Sequence, residues 1–270
     1  MRLRRRSSVL LVTGASGFLG RHLIRSPRMD RWQLIAPSST AMDVADEGRT
    51  VDTISAWKPD AVIHLAYDKD DHRVTANGSR NVAQGAAKAR ARLVHVSSDA
   101  VFGGRSQPYV EADIPDPITR YGASKRDAED AVAEVAPRAA IVRTSLLYGT
   151  DYLSAFQRKL KADLEASRPA MTLYADEFRC PAHAEDVAAA LLRLAEMRDR
   201  SGPIHVAGPE RLSRLRFADA CAKFAGFDHA NLPAKTIAET GTTRPADVEL
   251  DSTLATGLGL GCRPISEALR

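Results

Sequence analysis

From Val9 to Val12 the chain is continuously apolar, and the run ends in Thr13-Gly-Ala-Ser-Gly-Phe-Leu-Gly20. A short apolar run without polar alternation suits a strand buried on both faces. The glycines at its end predict a tight turn into a helix that continues through Arg21–Ser26. The pattern recurs along the chain. Gln33–Ala36, Ala61–Ala66, Arg92–Ser97, Ala139–Arg143 and Ile204–Ala207 read as further strands. Asn77–Ala91, Tyr121–Val135, Ala155–Ala166, Ala184–Met197 and Phe217–Phe224 carry helical patterns. Strands alternating with helices over short connections predict an α/β fold with a parallel, doubly wound sheet. From Gly149 the alternation loosens, and Arg168–Pro181 has prolines near both ends. The C-terminal part is therefore expected to form a small lobe that covers the ligand cleft at the strand C-termini.

Composition narrows the class. With 270 residues, 44% hydrophobic and 27% charged, the chain can bury a large core as an ordinary globular protein. Its net charge of +4 is inflated by Arg2, Arg4, Arg5 and Arg6, which precede the first strand and read as a solvated tail. The remainder is nearly balanced, so nucleic acid is not an expected target. No run reaches membrane-spanning length, and the start lacks the apolar core of a signal peptide. Cys180, Cys221 and Cys262 are dispersed and odd in number, which suggests neither a disulfide framework nor a metal site. A cytoplasmic location is the expectation.

The candidate chemistry begins at the glycines. Gly14, Gly17 and Gly20 are spaced by three, close to the dinucleotide fingerprint. Gly14 allows the turn, Gly17 lets a pyrophosphate approach the backbone, and Gly20 lets the helix pack against the strand. Asp43-Val44 stands after the second strand, where a carboxylate suits an adenine amino group or a helix cap near Asp46. No acid follows the glycines at the distance expected of a ribose 2′-hydroxyl partner, and no arginine stands there either. Ser38, Ser39 and Thr40 can hydrogen-bond a 2′-phosphate, so the cofactor expectation is NADP or NAD, leaning to NADP. Tyr121 and Lys125 are four residues apart and share a helix face. A nearby cation in a dry cleft favours the phenolate, and moving a tyrosine from about 10 to about 7 takes about 4 kcal/mol. Ser98 ends a strand, where its hydroxyl suits either a substrate carbonyl or a turn cap. His64 and His95 sit inside strands and read as satisfied core residues.

Taken together, these residues resemble the extended short-chain dehydrogenase/reductase superfamily, and within it the dTDP-4-dehydrorhamnose reductase-like family. The resemblance runs over nearly the whole chain. It includes Thr13–Gly20, Lys58–Ala66, Asn77–Asn81, His95-Val-Ser-Ser-Asp-Ala-Val-Phe-Gly103, Pro108–Asp113 and Tyr121-Gly-Ala-Ser-Lys125. It continues through Arg143–Gly149, Asp176–Pro181 and Arg244–Val248. It implies a Rossmann-type domain over 1–150 and mainly a substrate-binding lobe over 151–270, with about 182–208 returning to the first domain. It further implies a cofactor site from Gly14, Ser16, Gly17, Phe18, Leu19, Gly20, Asp43, Val44, Leu65, Ala66, Tyr121 and Lys125. In this family Tyr121 would protonate the substrate oxygen as hydride arrives from the nicotinamide. Lys125 would lower the tyrosine pKa and hold the ribose, and Ser98 would steer the carbonyl. Substrate contacts would come from Ser98, Asp99 and Arg244, the last reading the diphosphate. No metal is implied, and a homodimer is an admissible assembly.

Two positions depart from the relatives. Related dehydratases carry Asp-Glu after the catalytic hydroxyl, whereas Asp99 is followed here by Ala100, which disfavours dehydration. The reductases have an aromatic at position 100 and tryptophan at 146, against Ala100 and Leu146 here. The expected function is reduction of a 4-keto nucleotide sugar. The alternatives are a nucleotide-sugar 4-epimerase with tightly held NAD, and a non-catalytic regulatory subunit that keeps the fold.

Overall fold

The computed structural model describes residues 8–166, 171–227 and 232–270. The arginine-rich start lies outside them. The elements follow the hydrophobic pattern in order: β1 (Ser8–Thr13), α1 (Phe18–Arg25), β2 (Trp32–Ile35), α2 (Glu47–Trp57), β3 (Ala61–His64), α3 (Gly78–Lys88), β4 (Arg92–Ser98), α4 (Arg120–Val135) and β5 (Ala140–Thr144). A later strand, Gly202–His205, completes a six-stranded sheet in which it flanks β5, followed by β4, β3, β1 and β2. β1 pairs in parallel with both β2 and β3, in the register Leu10↔Leu34 and Leu10↔Ala61, and β3 pairs in parallel with β4. This is a Rossmann-type parallel sheet. Its inner strands are continuous apolar runs because both faces are covered.

Some boundaries differ from the pattern. β3 stops at His64 rather than Ala66: the Leu65 amide makes the last bond to the Thr13 carbonyl (3.2 Å) and shares it with the Thr13 hydroxyl (3.2 Å), and the Ala66 amide donates to that hydroxyl (3.3 Å) instead of to a ladder. The helix expected from Asn77 is preceded by one π-helical turn, Arg73–Asn77, and is α-helical only over Gly78–Lys88. The last sheet strand is Gly202–His205, two residues earlier than the apolar run suggests.

By its own contacts the chain divides into two compact units. The first comprises 1–97, 124–142 and 188–203; the second comprises 98–123, 143–187 and 204–270. In the first, Leu11, Val62 and Leu93 of the strands pack with Ile54, Val82 and Ala86 of α2 and α3. Each of the leucine, valine and isoleucine side chains contributes about 1.5–3 kcal/mol by leaving water. Asp46 caps α2 by accepting from the Arg49 amide (3.0 Å), which supplies one of the bonds missing at a helix start. In the second unit, Tyr148, Leu160, Leu173 and Phe217 form a separate core, drawn partly from α5 (Ala155–Glu165) and α7 (Arg214–Phe224). A Ser154/Gln157 capping box starts α5, and Ser213 caps α7. Between these helices α6 (Ala184–Glu196) runs back toward the last sheet strand in sequence.

Candidate functional site

The glycine turn closes as the spacing predicts. Gly14 has φ +69°, and a Cβ there would stand 2.7 Å from the Ala66 amide nitrogen, so only glycine fits. The Gly17 amide donates to the Gly14 carbonyl at 3.0 Å, and Gly17 is the N-cap of α1 with no side chain bonded to the helix start. Phe18, Leu19 and Gly20 form that first turn, with Leu19 and Gly20 buried. Ser16 is exposed, and its carbonyl accepts from the Arg21 Nε at 2.9 Å. Leu65 and Ala66 are tied by Thr13 to the end of β1, as above. The first unit thus gathers a helix N-terminus whose amides are not capped by a side chain, bordered by backbone that a Cβ would obstruct. That cradle fits a dinucleotide pyrophosphate.

Asp43 is exposed, and its Oδ1 accepts from the Ala45 amide at 3.0 Å. The helix cap is Asp46; Asp43 turns its own loop. Val44 is buried, and its carbonyl accepts from Asn81 Nδ2 at 2.9 Å. Ser38 and Thr40 share a hydrogen bond of 2.8 Å. An arginine missed by sequence spacing meets them, because the α2 start brings the Arg49 Nη2 to the Thr40 carbonyl at 3.2 Å. Arg49 is nine residues from Thr40, a distance that only the fold of the intervening loop closes.

Beside this turn lies a buried basic group. His64 is 1% exposed and satisfied, with Nδ1 2.6 Å from the Thr13 hydroxyl and Nε2 3.1 Å from that of Ser79. His95 corrects the expectation of a satisfied core residue. It is equally buried, 5.4 Å from the His64 ring, yet neither ring nitrogen has a hydrogen-bond partner among the described residues. Lys125 is 3% exposed, donates from Nζ to the Val96 carbonyl at 2.7 Å, and lies 5.6 Å from the Tyr67 ring centre. Burial lowers the Lys125 pKa to about 8, with Glu129 acting the other way. Burial, then the Lys125 charge, takes His64 down to about 3 and His95 well below its ordinary value.

Tyr121 stands half-buried in the first turn of α4, one turn before Lys125. The glycine next to it explains the local packing. A Cβ on Gly122 would lie 2.1 Å from the Ala100 carbonyl, so this turn can approach the segment after β4 only with glycine there. In that segment Ser98 accepts from the Ala100 amide at 3.2 Å and donates to Asp99 Oδ1 at 3.0 Å. The hydroxyl therefore caps the short 3₁₀ turn Asp99–Val101.

Asp99 heads a chain of buried polar contacts within the second unit. Its Oδ2 accepts from Ser145 at 2.6 Å and lies 3.6 Å from Arg179 Nε. Arg179 Nη2 is 3.4 Å from Glu177, and Glu177 holds Arg244 through two bonds of 2.7 and 3.2 Å. Arg244 also lies 4.6 Å from the Tyr174 ring centre, and 37% of its side chain stays exposed. Arg214 sits 4.7 Å from the Phe156 ring centre, and burial lowers its pKa. Ser145, Glu177, Arg179 and Arg214 received no role from the sequence. Three of them fall inside the segments 143–149 and 176–181 that carry the resemblance, which was the available signal. Among the described residues no three His, Cys, Asp or Glu side chains group to hold a metal ion, and no helix is long and apolar enough to cross a membrane.

Comparison with known proteins places this geometry. The chain is 30% identical to methionine adenosyltransferase 2 subunit beta of Bos taurus, over 94% of this chain and 83% of that protein. It is 31% identical to dTDP-4-dehydrorhamnose reductase of Mycobacterium tuberculosis, over 83% of this chain and 77% of that protein. The solved structure of dTDP-4-dehydrorhamnose reductase from Bacillus anthracis in complex with NADP is similar at a TM-score of 0.87 and 27% identity, covering 97% of both chains. A family model described as RmlD substrate binding domain matches residues 8–269, taking in the glycine turn, the Tyr121 helix and the Asp99–Arg244 contacts alike. The chain belongs to that family, the dTDP-4-dehydrorhamnose reductase-like proteins.

Proposed function

We propose that this chain is an NAD(P)-dependent reductase of a keto group on a nucleotide sugar, with the dinucleotide-binding part in 1–150, to which about 182–208 returns, and the substrate lobe in most of 151–270. The observation that carries the reading is Lys125. A lysine held 3% exposed is expensive to keep in a core, and it lies one helical turn after a tyrosine. Its value of about 8 leaves it mostly protonated at neutral pH, so it acts as a fixed cation favouring the phenolate form of Tyr121.

A bound reduced nicotinamide supplies the hydride. Gly14, Ser16, Gly17, Phe18, Leu19 and Gly20 would hold its pyrophosphate, with Leu65, Ala66, Asp43 and Val44 along the nucleotide. Tyr121 donates its hydroxyl proton to the substrate oxygen, and Lys125 stabilises the phenolate left behind. Ser98 orients the carbonyl by turning its one hydroxyl proton from Asp99 Oδ1, its acceptor in this structure, to the substrate oxygen. Arg244 meets the diphosphate from its exposed edge while Glu177 fixes its plane. Arg49 beside Ser38–Thr40 supports NADP over NAD, because a guanidinium pairs well with a 2′-phosphate.

A second reading has its own support. The relatives named methionine adenosyltransferase 2 subunit beta align over 94% of this chain, and Ala100 and Leu146 depart from the reductases. In that reading the chain is a non-catalytic subunit that retains nucleotide binding. Incubation with NADPH or NADH and a panel of 4-keto nucleotide sugars, beside Tyr121→Phe, separates the two. Cofactor oxidation is expected with at least one sugar, faster with NADPH, and about 10²–10⁴-fold slower in the variant. Oxidation unchanged by Tyr121→Phe rules out the proposed proton donor. No oxidation with any sugar favours the subunit reading.

A further inference from the structure

At the other end of the same strands, within the first unit, arginines surround a cavity of about 380 Å³. β1, β3 and β4 are parallel, so the start of β4 lies at the opposite end from the glycine turn after β1. The cavity floor is apolar, with Leu93, Val135 and Pro137, and its rim carries Arg90, Arg138 and Arg198. Arg92 stands in its wall and is only 5% exposed. Its guanidinium donates to the carbonyls of Leu194 (3.1 Å), Arg138 and Arg200, which fastens together the three segments that bear the rim. Arg200 follows closely, donating to the Ser201 and Pro203 carbonyls.

The charge here is not compensated. None of these five arginines has an ion pair with a carboxylate among the described residues. Arg90 and Arg198 make no side-chain hydrogen bond among them either. Asp199 is the one acid of the 198–200 loop, and its effect on Arg92 is exceeded by burial and by the charge of Arg138. Arg90 also holds a left-handed backbone, φ 56°, just beyond α3, where glycine is the ordinary choice. A solvated surface would not gather like charges about a concave apolar floor. Cavities of about 300–1,000 Å³ with apolar walls and a few converging polar groups are typical of small-ligand sites. Guanidinia match phosphate in pairs and stack on flat rings.

We propose that this cavity is a second ligand site, remote from the glycine turn, that takes a nucleoside phosphate: the flat base on Leu93, Val135 and Pro137, the phosphates among Arg90, Arg138 and Arg198. The rim arginines are exposed, so they can be replaced without disturbing the Arg92 fastening. The test is calorimetric titration of the full chain with ATP, inorganic tripolyphosphate and a glutamate-rich peptide, each with and without saturating NADP⁺. ATP is expected to bind with NADP⁺ present, and tripolyphosphate about ten-fold more weakly because it lacks the base. Arg138→Ser with Arg198→Ser is expected to weaken ATP binding by at least about ten-fold while leaving the melting temperature of the unliganded protein in place. Should that pair fail to fold, Arg90→Ser alone is expected to weaken ATP in the same direction. ATP binding unaffected by the rim variants, or abolished by NADP⁺, overturns the proposal. So does tripolyphosphate binding as well as ATP, binding by the acidic peptide alone, or no binding by any of the three.

Discussion

In the first unit His64, His95 and Lys125 are buried together, and burial moves each toward its neutral form. In the second unit Asp99, Glu177 and Arg179 have side chains 4–8% exposed, and there opposite charges stand 3.4–3.6 Å apart. The difference is one of partners. For the first group desolvation outweighs the one nearby acid, Glu129, and favours losing a proton, whereas each acid of the second group stands beside a guanidinium that holds it in place. The first arrangement yields a buried lysine with a pKa lowered to about 8, still mostly protonated at pH 7. The second yields a rigid line of polar side chains, from the Ser98 hydroxyl to the Arg244 guanidinium.

Breaking the basic group is expected to have the largest consequence. In the proposed mechanism Lys125→Met removes the cation that would favour the Tyr121 phenolate, and reductase turnover should fall by about 10²–10⁴-fold. The same change should stabilise the fold at pH 7. Lys125 has a folded value of about 8 against 10.5 unfolded, so its contribution is present above pH 10.5 and is lost as pH falls toward 8. Below that, keeping the charge buried costs about 3 kcal/mol. Melting temperatures compared at pH 7 and pH 10 test this: the advantage of the variant should be clear at the first and shrink at the second. A less stable variant at pH 7 would mean that the bond to the Val96 carbonyl outweighs desolvation.

Arg179→Met probes the other arrangement. It strands Asp99 and Glu177 without their shared cation, and urea unfolding should show a loss of about 3–5 kcal/mol. An unchanged midpoint would show that Ser145 and Arg244 suffice to hold the two acids.

The smallest effect is expected at His95. His64 and His95 remain neutral in the fold far below 6.5, while the unfolded chain takes up protons there. Their contribution is therefore present above pH 6.5 and is lost as pH falls through their lowered folded values, about 3 for His64. His95→Phe should reduce the pH dependence of stability between pH 6 and pH 4 by about one proton, or about 1.4 kcal/mol per pH unit at the steepest. At pH 7 the change should be small, because neither ring nitrogen has a hydrogen bond to lose among the described residues. An unaltered slope would show that His95 is already protonated in the fold, contrary to its burial.

Where the relevant contacts are local, they could be read before folding was known. The apolar runs at Val9–Val12 and Ala61–His64 became inner strands because period and burial are written in adjacent residues. Gly14 and Gly17 formed their turn because a positive φ and a close backbone approach are properties of single positions. The histidines were harder. His64 and His95 occupy similar places in similar strands, but only one has hydroxyl partners, supplied by Thr13 and Ser79 from other elements. Arg49 was missed for the same reason, since it reaches Thr40 through a loop that spacing does not describe.

The sequence by itself determined the strand–helix alternation, the glycine turn, and the Tyr121–Lys125 pair on one helix. Each depends on residues within a few positions of one another. Only the tertiary structure decided that Lys125 is dry, that His95 lacks hydrogen-bond partners among the described residues, and that Asp99, Arg179, Glu177 and Arg244 form one line of contacts. Only it gathered Arg90, Arg92, Arg138, Arg198 and Arg200 around a cavity. Desolvation and charge pairing depend on what surrounds a group in space, and those neighbours come from segments tens of residues apart.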